Sequence, residues 1–170
     1  MPSLIQRLRA AAAMSALAFA FTGPAMANDK EIVNPNCRPE PENQCAFGEL
    51  RRAQLAGRDL HDGSYDTARL DEANLSGANL SGSSLQVTNL QNANLTNANL
   101  ERVHLHAANL TGADLSGANL TGANLDKATA RGANFRGANL SRAILTGANF
   151  SGAAWVDGRT CAEGSIGACK

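Results

Sequence analysis

Ala113-Asp114-Leu115-Ser116-Gly117, Ala118-Asn119-Leu120-Thr121-Gly122 and Ala123-Asn124-Leu125 follow one another without interruption and establish a period of five residues. Internal repeats are read before any secondary structure, because a missed repeat mis-assigns the whole fold. Extended outward, the register holds from Leu50 to Trp155, giving 22 units with no insertion. Seventeen of the central positions are Leu, and the others are Tyr65, Ala130, Phe135, Phe150 and Trp155. Two residues before the centre, 16 of the 22 positions are Ala.

A period of five matches neither the 3.6 of a helix nor the 2 of a plain strand. Asn and Gly every few residues also disfavour a long helix. The pattern fits a chain that turns a corner once per unit. Short extended pieces alternate their side chains, so the centre and the residue two before it line an interior. The other three positions face water, and the polar pair after the centre, often Ser-Gly or Thr-Gly, supplies the turn.

The A-(N/D)-L-x-x pattern resembles the pentapeptide-repeat proteins over about 110 residues. The resemblance implies an all-β solenoid: a right-handed, quadrilateral (four-sided) parallel β-helix with four units per coil. Twenty-two units then stack as about five and a half coils at the ~4.8 Å strand spacing, a rod of roughly 25 Å.

Four units per coil convert the sequence into columns spaced by 20. Arg51 is expected beside Asp71 and Arg52 beside Glu72, as exposed ion pairs. Leu110, Ala130 and Phe150 share a column, so Ala130 is a deficit of volume that predicts a small void or a local collapse. The first units depart from the pattern. Gly48, Arg58 and Gly63 stand where Ala is usual, and Tyr65 stands where Leu is. An inward Arg58 is costly inside a stack, but at its end it can reach solvent or a carboxylate such as Asp59 or Asp62.

Outside the repeat, residues 1–27 have the three parts of an export leader: Arg7 and Arg9, an apolar run from Ala10 to Phe21, and Ala25-Met26-Ala27 as a cleavage site. Residues 28–47 read as an irregular lead-in, docked through Phe47 and Leu50, ahead of a repeat domain over 48–156 and a cap over 157–170. The leader places the mature chain in the periplasm or outside the cell, or in a thylakoid lumen if the source is a cyanobacterium. Cys37 and Cys45 precede the repeat, and Cys161 and Cys169 follow it. An exported chain with an even cysteine count favours disulfides. Three connectivities exist, and the local bridges Cys37–Cys45 and Cys161–Cys169 are the economical one. A structural metal site usually uses tighter cysteine spacing and nearby His.

Without the leader's two arginines, 13 basic side chains of the 15 remain against 15 acidic, a net charge near −2. Nothing in that balance favours capture of nucleic acid or of an anionic membrane. His104 and His106 flank Leu105 and point outward, with Asp126 one coil beyond His106, which makes this trio the candidate metal ligands. His61 stands alone. No nucleophile constellation or phosphate loop is present, and a core filled with Leu leaves no interior pocket, so neither an enzyme nor a cofactor is expected. One branch of the family mimics duplex DNA with an acidic rod and inhibits topoisomerase. Here residues 73–125 carry only Glu101, Arg102 and Asp114, which departs from that branch. The expectation is an exported, non-catalytic scaffold or interaction module with an unidentified protein or glycan partner. Lys127, Arg131, Arg136, Arg142 and Arg159, set against Asp126 and Asp157, make its C-terminal half the more basic. Exposed Val87, Ile144 and Val156 are too scattered to define an interface.

Overall fold

A computed structural model describes residues 37–170. The leader at 1–27 and the first part of the lead-in, 28–36, lie outside the described residues. Each unit repeats one local conformation: a turn on the two residues after the centre, then a β-bridge residue immediately before the next centre. The second turn residue has a positive φ, as at Gly117 (69°) and Arg102 (56°). That requirement explains the frequency of Gly at this position.

Parallel bridges join residues 20 apart and form four ladders. They run Gln44–Ser64–Ser84–His104–Asn124–Ile144, Glu49–Arg69–Asn89–Asn109–Thr129–Asn149, Gln54–Asn74–Asn94–Asp114–Asn134–Ala154 and Asp59–Asn79–Asn99–Asn119–Asn139. The stack therefore reaches back to Gln44, and Cys45 (0% exposed) takes a central position beneath Tyr65. The bridge residue is usually Asn for a local reason. Its side-chain oxygen accepts the backbone N–H two residues on, as Asn119 does from Thr121 at 3.2 Å, which stabilises the turn.

The interior is the Leu and Ala set read from the period. Leu75, Leu95, Leu115 and Leu125 are fully buried, as are Ala98, Ala113 and Ala118. Ala130 is also fully buried, so no opening to solvent forms where its column lacks a large side chain. Near it, Phe150 packs edge-on against Phe135 at 5.7 Å and against Trp155 at 5.0 Å. The C-terminal segment then runs back antiparallel over this cluster, bridging Ala154 to Thr160 and Asn149 to Ile166. Disulfides join Cys37 to Cys45 and Cys161 to Cys169.

Several departures from the repeat prove to be one coupled arrangement. A Cβ on Gly63 would lie 2.6 Å from the Tyr65 ring, so the missing side chain at 63 makes room for the oversized one at 65. The Tyr65 hydroxyl donates to the Glu40 carbonyl at 3.3 Å, and burial pushes its phenol up to about 12. One coil above, buried Ser83 accepts from the Gly63 N–H at 3.2 Å and donates to the Leu60 carbonyl at 2.8 Å. Thr88 likewise donates to the Tyr65 carbonyl at 2.7 Å. Gly63→Ala should therefore destabilise the stack by roughly 1–3 kcal/mol through overpacking. Tyr65→Leu in the same chain should recover most of that loss. Urea unfolding of the single and double variants measures the coupling, and additive effects would contradict the shared-space account.

Two expectations about the ends need correction, those for Phe47 and Val156. Phe47 does not dock the lead-in: it occupies the positive-φ corner position (φ 59°), points outward and is 75% exposed. The apolar contact at this end is made by Leu50 and the two cysteines. Arg58 reaches the lead-in backbone, donating to the Pro39 carbonyl at 3.5 Å. Asp59 meets His61. Val156 packs against the core rather than standing in solvent.

Candidate functional site

With the inward positions filled by Leu, Ala and aromatic rings, the groups available for recognition lie on the ladders and corners outside. The Asp59 ladder is the most regular of these faces. Asn79 donates to Asp59 at 2.9 Å, Asn99 to Asn79 at 3.0 Å, and Asn119 to Asn99 at 3.3 Å. The oxygens of Asn79 and Asn99 thus accept both from their own turn and from the amide one coil above.

Charge gathers at both ends of the stack. Arg51 donates to Asp71 at 2.6 Å, and Arg52 to Glu72 at 2.7 Å, the two pairs given by the 20-residue register. The first is less exposed than expected. Asp71 is 7% exposed and also meets Arg69 at 3.5 Å and Asn89 at 3.2 Å, because its side chain lies between neighbouring ladders. The second is open, and the Arg52 hydrogen bond holds the Glu72 carboxyl below its ordinary range. At the other end Arg131 meets Glu163 at 3.4 Å and Arg159 meets Asp157 at 3.3 Å.

The histidines separate into different settings. His106 Nδ1 lies 2.9 Å from Asp126 Oδ2, as the register requires. His104 lies in the Gln44 ladder between Ser84 and Asn124. It also lines an open recess of about 420 Å³ with Asp62, Ser81, Gly82, Glu101 and Arg102. Gly82 matters in this recess, since a Cβ there would stand 2.0 Å from Asp62 Oδ1. Among the described residues, no group of three or more His, Cys, Asp or Glu is arranged to hold a metal ion. Likewise, no helix among them is long and apolar enough to cross a membrane.

His61, which sequence reading left alone, has a partner: its Nδ1 lies 2.9 Å from Asp59 Oδ1. This hydrogen bond raises the His61 pKa and lowers that of Asp59. The histidine's contribution is complete below its unfolded value and is lost as pH rises through the raised one. The carboxylate's contribution is present above its unfolded value and is lost as pH falls through the lowered one. The pair therefore acts between those two limits. An NMR titration should place the His61 midpoint above 6.5, and Asp59→Asn should return it toward that value. A midpoint unmoved by Asp59→Asn would contradict the pairing.

Comparison with known proteins agrees with this geometry. The family model described as pentapeptide repeats matches residues 49–86, 88–126 and 123–154, in eight copies. No curated protein sequence matches the chain. Among solved structures, it is similar to HetL from the cyanobacterium Nostoc sp. strain PCC 7120, a pentapeptide repeat protein involved in heterocyst differentiation regulation. The identity is 32% and the TM-score 0.51, with 69% of this chain covered, and the chain spans only 61% of HetL. A pentapeptide repeat protein from the Arabidopsis thaliana thylakoid lumen is 30% identical, with TM-score 0.48 and 61% and 69% of the two chains covered. QnrB1, a plasmid-mediated fluoroquinolone resistance protein, is 23% identical, with TM-score 0.47 and 67% and 54% covered. The match extends over most of the unbroken register, and the ladders return every 20 residues through it: the chain belongs to the pentapeptide-repeat family.

Proposed function

We propose that this chain is an exported, non-catalytic scaffold or interaction module, wound as a right-handed, four-sided β-helix. The observation that carries the reading is the division between inside and outside. From Tyr65 to Phe135 the inward centres are closed at about 0–1% exposure, so any partner along the rod meets an outer surface of amide ladders and corner side chains. Export is supported by the sequence of residues 1–27 and by two cysteine pairs, each eight residues apart, at opposite ends of the stack. The near-neutral middle coils oppose a role as a mimic of duplex DNA. A metal role for His104, His106 and Asp126 lacks a shared centre, since His106 is engaged with Asp126 while His104 opens onto the recess.

The test is fractionation of the native host followed by capture on the purified chain. The expected result is a chain cleaved after Ala27, found outside the cytoplasm, retaining a reproducible protein or glycan partner there. A turnover activity lost on His104→Ala, or a pool confined to the cytoplasm, would overturn the reading.

A further inference from the structure

Within the stack, each unit offers the coil above it three backbone groups: the N–H of the centre, the N–H two residues later and the C=O two residues earlier. The unit centred on Leu120 shows the pattern. Leu120 N donates to Asn139 O at 2.8 Å, Gly122 N to Ser141 O at 2.9 Å, and Ala118 O accepts from Asn139 N at 2.9 Å. At the C-terminal end, the returning segment meets these groups on two ladders only. Phe150 N donates to Ser165 O and Gly167 N to Ala148 O, both at 2.8 Å; Trp155 N donates to Arg159 O at 2.7 Å and Cys161 N to Ala153 O at 2.8 Å.

The other two ladders stay open. Among the described residues, the N–H groups of Leu140, Arg142, Leu145 and Gly147 and the C=O groups of Ala138 and Ala143 have no hydrogen-bond partner. Side chains repeat the message. Leu140 and Leu145 are only partly buried, whereas Leu120 and Leu125 beneath them are wholly buried. Ile144, between the open groups, is 50% exposed. An unpaired edge of this kind is a template for another strand.

We propose that this edge pairs with the same edge of a second copy, antiparallel, about a twofold axis at Ile144. The backbone geometry is self-complementary. In an antiparallel pair centred on a non-hydrogen-bonded position, the flanking residues carry the bonds. Ala143 C=O then accepts from Leu145 N–H of the second copy, and the reciprocal bond forms by symmetry, as an isologous contact requires. The neighbouring ladder already uses this arrangement, with Ala148 C=O and Phe150 N–H bonded on either side of the Asn149–Ile166 bridge. Charge permits it too. Arg142 is the one charged residue in the arc 138–147, and pairing at Ile144 sets it opposite Thr146. The two arginines then stand four residues apart, about 13 Å, beyond the screening length of ~8 Å at physiological salt. Ile144 would face Ile144, and the half-covered Leu140 and Leu145 would be shielded. The chain outside the described residues joins at Cys37, beside the opposite end of the stack, which makes it the more distant occupant.

Sedimentation of the purified full chain across a concentration series tests this. The expected result is a concentration-dependent dimer whose dissociation constant rises at least tenfold in Ile144→Asp, with an unchanged circular dichroism spectrum. Mixing Ile144→Asp with Ile144→Lys should restore a dimer. Ile144→Cys should cross-link through residue 144 of both copies under mild oxidation. Val87→Cys, equally placed in solvent but on the side of the rod (58% exposed), should not. Should Ile144→Asp itself disturb folding, the Ile144→Cys and Val87→Cys pair still decides. A monomer at every concentration overturns the proposal and leaves the edge to a strand of another protein. A dimer unaffected by Ile144→Asp, or an Ile144→Cys chain that forms no cross-link between copies, also overturns it.

Discussion

Leu115→Asp is expected to abolish the cooperative folding of this chain at neutral pH, while Leu115→Ala leaves a folded but weakened protein. Leu115 is fully buried at the middle of the stack, in a column with Leu95 below and Phe135 above. The alanine variant loses packing and leaves a cavity, a cost of about 2–5 kcal/mol. The aspartate variant adds an unpaired carboxylate in the same apolar column, and the effective penalty for burying an ion is itself several kcal/mol. Together these approach or exceed the 5–15 kcal/mol that typically holds a domain. A solenoid coil contacts only its neighbours, so one spoiled coil breaks two interfaces. Acidification should return part of the lost structure, because protonation removes the buried charge. Urea unfolding followed by circular dichroism measures both variants. An aspartate variant within about 1 kcal/mol of the alanine one would mean that position 115 is not the inward centre.

Removing the second disulfide, as Cys161→Ser with Cys169→Ser, should cost about 2.5 kcal/mol from loop entropy alone, given the eight-residue separation. The loss should be local. The cap closes the two columns that end in Phe150 and Trp155, and the Cys161 backbone holds both Gly152 N–H and Ala153 C=O. Hydrogen exchange should therefore quicken at 149–155, while amides near Leu95 and Leu100 keep their protection. Reduction of the unmodified chain should reproduce the effect at this end. A non-reducing peptide map should link Cys37 with Cys45 and Cys161 with Cys169. Uniform loss of protection along the rod would show instead that the stack unfolds as a single unit.

The 20-residue column rule made much of this molecule legible in advance, because a strict period sends each residue to one address. It places Arg51 at Asp71, Arg52 at Glu72 and Asp126 at His106 from their numbers alone. It was less informative where a side chain leaves its own column. Phe47 suggests docking because it is apolar, yet its corner position directs it outward whatever its chemistry. Of the Tyr65–Gly63–Ser83 arrangement, Tyr65 and Gly63 stand out in the sequence only as separate irregularities, and Ser83 does not stand out at all. The signal that joins them was present, since Ser83 is 20 residues beyond Gly63, but recognising it required treating small and large departures as compensating. The uncapped arc at 138–147 was hidden for a different reason. Nothing in a repeat announces how far a returning segment will cover it.

The 20-residue return has a consequence for how such a chain can change length. One unit is a quarter of a coil, so it advances the stack by about 1.2 Å, a quarter of the strand spacing, and turns it by a quarter of a revolution. Deleting a single pentapeptide would barely shorten the rod, yet it would rotate the whole C-terminal cap to a different side relative to the Cys37–Cys45 end. Only changes of 20 residues would keep both ends in phase. The number of repeats therefore works as an angular gauge: it sets the direction in which one end of the molecule faces when the other is held.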